Sequence, residues 1–184
     1  MTKCPVCKRQ GMTRVATGDG LSVLACDACG GQWLSRKDYE AWLSAHGETL
    51  PEKAYSEVKF DIEDVHDAKV CPDCSRFLLK YRVGHGLDFY VDHCGSCGGV
   101  WLDKHEWNAL KDKNLHDEIH RVFSTHWQAD VRKEQMSDCL DSVYRSRFGE
   151  KDYEMARQVR SWIQASEDRD ALIRFLADDD PYAV

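Results

Sequence analysis

The sequence predicts two small α+β modules in tandem, each a β-hairpin plus a short helix, followed by an α-helical carboxy-terminal region. Three observations carry that expectation. First, Cys4-Pro5-Val6-Cys7 and Cys26-Asp27-Ala28-Cys29-Gly30-Gly31-Gln32-Trp33-Leu34 return as Cys71-Pro72-Asp73-Cys74 and Cys94-Gly95-Ser96-Cys97-Gly98-Gly99-Val100-Trp101-Leu102. Second, the stretch between the cysteine pairs is in each copy a β-rich run broken by glycines. Third, beyond about Leu115 apolar residues recur at intervals of three and four, a helical period with no counterpart in the first copy.

The cysteines come first because they bound the chemistry. Eight of the nine fall into the two repeats, and the pairs are separated by residues 8–25 in one copy and 75–93 in the other. That spacing reads as a tetrahedral zinc site, and its recurrence in register strengthens the reading. The expected ligands are Cys4, Cys7, Cys26 and Cys29 for one ion and Cys71, Cys74, Cys94 and Cys97 for a second, so that two structural Zn2+ ions serve each chain. Four thiolates close the coordination shell and leave no position for water or substrate, so such a site acts as a crosslink. Pro5 and Pro72 stiffen the first knuckle of each set, and the glycines after the fourth cysteine allow backbone N–H groups to approach the sulfurs. Disulfides would suit an exported chain, but Met-Thr-Lys-Cys opens without an apolar leader, and a cytoplasmic location is expected. Thioredoxin-like redox chemistry would need a βαβ setting, which the hairpin pattern does not supply.

Between the ligands, strands are expected over Met12 to Ala16 and Leu21 to Ala25 around Gly18-Asp19-Gly20, and over Phe77 to Val83 and Leu87 to Asp92 around Gly84-His85-Gly86. Ser35-Arg36-Lys37-Asp38 and Asp103-Lys104-His105-Glu106 resemble capping boxes and start a helix in each copy. Those helices carry Tyr39, Trp42 and Leu43 in one copy and Trp107 and Leu110, with Leu115, in the other. Trp33 and Trp101 are expected to fill the thin core between hairpin and helix, with a recognition platform as the alternative.

The pattern C-P-x-C, hairpin, C-x2-C-G-G-x-W-L-[SD] resembles the small bacterial zinc-ribbon domain family named for its likeness to the amino-terminal ribbon of transcription factor IIB. Both copies match, over roughly residues 1–46 and 69–115. The resemblance implies the zinc-ribbon fold and the eight cysteine ligands. It does not by itself imply a role in transcription, because the family name records a structural likeness.

The resulting organisation is zinc ribbon 1 over residues 1–47, an acidic linker over 48–69, zinc ribbon 2 over 70–114 and a helical region over 115–184. In the linker, Val58, Phe60 and Ile62 alternate with charged residues and Val65 follows, which suits either a short strand or a partly ordered connection. The helical region reads as one long helix or two broken near Glu134, then a helix capped by Asp152 and a last one starting at Ser166. Such helices could pack on the ribbons or form a homo-oligomer interface. Cys139, within the first stretch, is expected to be a buried free thiol.

Charge narrows the partners. The chain carries a net charge of −7, and residues 1–50, 51–70, 71–120 and 121–184 contribute +1, −3, −2 and −3. Affinity for nucleic acid rests largely on cations that neutralise phosphates, so a protein partner is favoured over DNA or RNA. The nucleic-acid alternative would use Lys3, Lys8, Arg9 and Arg14, with Arg36 and Lys37 at the helix start. His116 and His120 are spaced as metal ligands on a helix would be, but no H-E-x-x-H follows, and an accidental surface pair is the expectation. No nucleophile elbow, P-loop or dinucleotide fingerprint is present. The sequence therefore reads as a non-catalytic, membrane-free adaptor or regulator that binds a protein, with zinc handling or thiol sensing as a third reading.

Overall fold

Hairpin turns and cysteine knuckles build each ribbon, and a computed structural model describes residues 2–9, 11–46, 51–53, 60–62, 65 and 67–182. Ribbon 1 contains β1 (Thr13–Ala16), β2 (Ser22–Ala25), β3 (Gln32–Leu34) and α1 (Arg36–His46). Ribbon 2 repeats them as β4 (Leu79–Gly84), β5 (Leu87–His93), β6 (Val100–Leu102) and α2 (Glu106–Asp112). Then follow α3 (Ile119–Val122), α4 (Thr125–Phe148), α5 (Glu150–Gln164) and α6 (Arg169–Ala177). The chain divides into two compact units, 1–133 and 134–184.

In the first unit the two ribbons share one antiparallel sheet of order β1-β2-β3-β6-β5-β4. The joint is the pairing of β3 with β6, in register Gln32 with Leu102, Trp33 with Trp101 and Leu34 with Val100. Both third strands come from the Trp-Leu segments that follow the fourth cysteine. Each is only three residues long, and pairing with its twin satisfies backbone groups that a lone three-residue edge would leave exposed.

The joint explains the second glycine of each Cys-Gly-Gly. A Cβ at Gly31 would stand 2.9 Å from Trp101 Cη2 and nearer still to Cζ2, and a Cβ at Gly99 would stand 2.6 Å from Trp33 Cη2. Neither glycine has left-handed backbone; the side chain is missing because the other ribbon's indole occupies its place. Gly31→Ala is therefore expected to destabilise the first unit by about 2–3 kcal/mol, since a rigid, fully buried ring has nowhere to move. Thermal unfolding measures it, with Gly18→Ala, which meets nothing within 4 Å, as a control expected within about 0.5 kcal/mol of the parent.

Of residues 115–184, the first part packs on the sheet. Leu115, Ile119, Val122, Trp127 and Val131 are buried in one cluster with Leu34, Val83, Phe89, Val100, Leu102 and Leu110. Trp127 donates its indole N–H to the Val83 carbonyl at 2.8 Å, and Gln128 donates to the Arg82 carbonyl at 2.9 Å. Of the two alternatives, a break near Glu134 is not found: α4 runs through that position, and the interruption falls earlier, at Phe123 and Ser124, where Ser124 Oγ accepts the Trp127 backbone N–H. Leu115 to Glu118 lie outside any helix, so His116 and His120 do not share a helix face. His116 sits against Trp42 and Trp107, with ring centroids 5.6 and 5.7 Å away, and burial lowers its pKa.

The linker's Val58 lies outside the described residues. Phe60 and Ile62 form no strand but pack partly buried against the core. Pro51 and Lys53 are tied to the end of α2 by Asn114 Nδ2 and Lys113 Nζ, which donate to their carbonyls at 2.9 and 3.1 Å.

In the second unit Arg145 organises the turn between α4 and α5 by pairing with Asp141 at 2.5 Å, Glu154 at 2.9 Å and Glu150. Tyr153 donates its hydroxyl to Asp141 at 2.6 Å. Helix α5 begins after Gly149, so Asp152 lies in its first turn, where its charge complements the helix dipole, and is not the cap. Helix α6 starts at Arg169, with Ser166 Oγ accepting the Asp168 N–H just before it. Cys139 is exposed, contrary to expectation, because only Trp127 and Val131 of α4 reach the core.

Candidate metal centres

Each ribbon brings two cysteine knuckles together at the base of its hairpin. Cys4 to Cys7 meets Cys26 to Cys29, and Cys71 to Cys74 meets Cys94 to Cys97. All four Sγ atoms of a set lie within 4.8 Å of one another. The closest pairs are Cys4 with Cys29 at 3.6 Å, Cys7 with Cys26 at 3.4 Å, Cys71 with Cys97 at 3.5 Å and Cys74 with Cys94 at 3.4 Å. Zn–S bonds of about 2.3 Å in a tetrahedron place sulfurs about 3.8 Å apart. The two sets therefore fit one zinc ion each, and the soft four-sulfur donor set suits that metal. Bound there, zinc supplies a closed structural crosslink.

The knuckles are shaped by repeated backbone bonds. Lys8 N–H donates to the Cys4 carbonyl, Gly30 to Cys26, Ser75 to Cys71 and Gly98 to Cys94, at 2.8 to 3.1 Å. To make that turn, the residue after the second cysteine of every pair takes left-handed backbone: φ is 58° at Lys8, 72° at Gly30, 60° at Ser75 and 73° at Gly98. The two glycines were legible as such positions. Lys8 and Ser75 were not, because neither residue type signals positive φ; aligning all four C-x2-C segments would have found them.

The turns aim backbone N–H groups at sulfur. Burial acts first on Cys26 and would raise its pKa, but N–H groups of Cys29 and Ala28 and the neighbouring sulfurs bring it down to about 7. Cys94 is likewise brought to about 7 by Cys97 and Ser96. Burial dominates at Cys4 and Cys71 and pushes both well up. One sulfur of each set is thus stabilised as the thiolate that zinc requires.

The centres share a core. Cys4, Cys26, Cys71 and Cys94 form a single buried cluster with Trp33, Trp101 and Leu78. Both indoles are buried, at 1% and 0% exposure, which removes the recognition-platform alternative. Their N–H groups are satisfied differently. Trp33 donates to Asp73 in the other ribbon's knuckle at 2.9 Å, whereas Trp101 donates to Asp103 of its own ribbon at 2.7 Å. The residue matching Asp73 in ribbon 1 is Val6, whose side chain has no acceptor.

Asp103 belongs to a buried network that sequence reasoning missed. Lys69, 1% exposed, donates to Asp92 at 2.6 Å, to Asp103 at 2.9 Å and to the Val65 carbonyl at 2.8 Å. Burial alone would lower the Lys69 pKa, but the two carboxylates overcome it and hold the ammonium charged. Asp103 is thereby diverted from capping α2. The expected box is half formed there, with Glu106 accepting the Asp103 N–H at 2.8 Å. In ribbon 1 the other half forms: Ser35 Oγ accepts the Asp38 N–H at 3.1 Å, and its hydroxyl donates to the Asp38 carboxylate at 2.7 Å. The repeat held the signal, since Asp92 pairs opposite Trp101 where Leu24 pairs opposite Trp33.

Some residues of the expected basic surface are engaged within ribbon 1. Lys3, Lys8 and Arg9 are exposed, but the Lys8 ammonium donates to the Pro5 carbonyl and Arg14 pairs with Asp38 at 3.0 Å. Arg36 pairs with Glu40 at 2.7 Å, and its stem lies across Gly98, 2.8 Å from where a Cβ would stand. Lys104 lies across Gly30 in the same way, so these cations at the helix starts cover the opposite ribbon's knuckle. A groove of about 510 Å3 opens between α1 and α3, lined by Tyr39, Leu43, Val100, Ile119 and Phe123, with Arg36, Glu40 and His120 around it. His93 forms part of its wall, stacked on Phe123 at 4.1 Å. No described helix is long and apolar enough to cross a membrane.

Comparison with known proteins agrees with this geometry. Residues 3–45 and 70–113 each match the family model described as transcription factor zinc-finger. No curated protein and no solved structure matched the chain.

Proposed function

We propose that this chain, which carries two tandem zinc ribbons of the transcription factor zinc-finger family, is a non-catalytic adaptor that binds a protein partner. The observation that carries the reading is the pair of closed Cys4 sets, half of their cysteines buried, around one shared tryptophan core. Metal placed there crosslinks the sheet and presents no open position for chemistry. What remains to act is surface, and that surface is acidic overall, with Arg14 and Arg36 already paired to carboxylates.

The test is capture from native lysate by the tagged, zinc-loaded chain, with and without nuclease. A stoichiometric protein that survives nuclease is the expected result, and retention of nucleic acid alone would overturn the reading. Independently, Lys8→Glu combined with Arg9→Glu is expected to leave partner capture unchanged within about twofold while zinc stays at two per chain. A steep, salt-dependent loss of binding in that variant would move the function to nucleic acid.

A further inference from the structure

We propose that residues 134–184 form a docking arm whose exposed apolar helix faces take a cationic amphipathic helix of the protein partner; the inference rests on the adaptor reading above. No residue of α5 or α6 is buried. Leu140, Tyr144, Phe148, Trp162, Phe175 and Leu176 stand 41% to 55% exposed, which is far from where large apolar side chains settle in a finished fold. Leu140, Tyr144 and Phe148 follow one another at i,i+4 on α4, and the rings of Tyr144 and Phe148 stack at 5.7 Å, so the stripe is continuous. Amphipathic helices draw most of their stability from covering such a stripe, which makes an occupant the natural completion of this unit.

Charge selects the occupant. The arm holds seven Lys/Arg against twelve Asp/Glu, a net of −5. Among the cations, Arg145 is engaged by Asp141, Glu150 and Glu154, and Arg157 by Glu154 at 3.5 Å. Asp178, Asp179 and Asp180 extend the negative rim directly beyond Leu176. A second copy of the arm would set like charge against like, and phosphate-bearing surfaces would be repelled. A helix with an apolar stripe flanked by Lys or Arg matches both features.

The experiment titrates the full-length, zinc-loaded chain with an 18-residue Leu/Lys peptide of helical periodicity, read by calorimetry and tryptophan fluorescence. A Ser/Lys peptide removes the apolar face, and a Leu/Glu peptide reverses the charge. The expected result is one Leu/Lys site per chain, at least tenfold tighter than either control. Leu140→Ser with Trp162→Ser and Leu176→Ser should weaken it at least tenfold. Because those changes could loosen the helices, Asp178→Asn with Asp179→Asn and Asp180→Asn, which lie beyond α6, should independently weaken it several-fold. Equal binding of the Ser/Lys peptide, indifference to both variants, or a dimer in sedimentation equilibrium that the triple-serine variant dissolves would overturn the proposal. Capture of the same nuclease-resistant lysate protein by the triple-serine variant would sink the arm and leave the adaptor reading standing.

Discussion

Replacing Cys71 with serine is expected to cost the chain more than the ion that Cys71 ligates. Structural zinc contributes on the order of 10–16 kcal/mol of apparent binding free energy in small ribbons. A whole domain is stable by only about 5–15 kcal/mol, so removing one site removes a large part of what holds the first unit folded. The loss should also cross the sheet. Cys71 shares its cluster with Cys4, Cys26, Trp33 and Trp101, and β3 and β6 each depend on the other for pairing. In Cys71→Ser, zinc should fall from two per chain to one or fewer, and the near-UV circular dichroism of the buried tryptophans should collapse. Any zinc left in ribbon 1 should pass to a chelator at a concentration at least tenfold lower than in the parent. Ribbon 1 holding its zinc with unchanged affinity in that variant would show the two centres to be independent.

The second large effect concerns charge. Lys69→Met leaves Asp92 and Asp103 buried without the cation that pairs with both, and removing one partner of a buried ion pair costs about 3–5 kcal/mol. Lys80 approaches Asp92 at 3.4 Å but is partly exposed and already donates to the Val65 carbonyl, so it offsets little. Adding Asp92→Leu to Lys69→Met should recover most of the loss, because ribbon 1 fills the matching place with Leu24 and Asp103 keeps the donors Trp101 and Val65. Chemical denaturation of the three proteins measures this. Should the single variant unfold within about 1 kcal/mol of the parent, the network would be a bystander and the repeat comparison would lose its force.

The two halves of this protein were not equally legible. Cysteine spacing, glycine turns and the alternation of the hairpins are local signals, because ligand geometry and strand period act over a few residues. They specified both Cys4 sets, the four hairpin strands to within two residues at each end, and α1 with its Ser35 cap. The helical periodicity beyond Leu115 was also real, but period alone does not say what a face covers. The same three-and-four spacing put Trp127 and Val131 in the core and left Tyr144 and Trp162 exposed.

By itself, then, the sequence determined the ligands, the hairpins and the order of the modules, since each follows from chemistry confined to one stretch of chain. Only the tertiary structure decided that the ribbons make one sheet, that Gly31 and Gly99 are small because Trp101 and Trp33 lie over them, and that Lys69 reaches Asp92 and Asp103. Those facts depend on which surfaces meet across stretches of chain from 23 residues to about 70. A buried charge or a missing side chain acquires its reason only from the group on the other side.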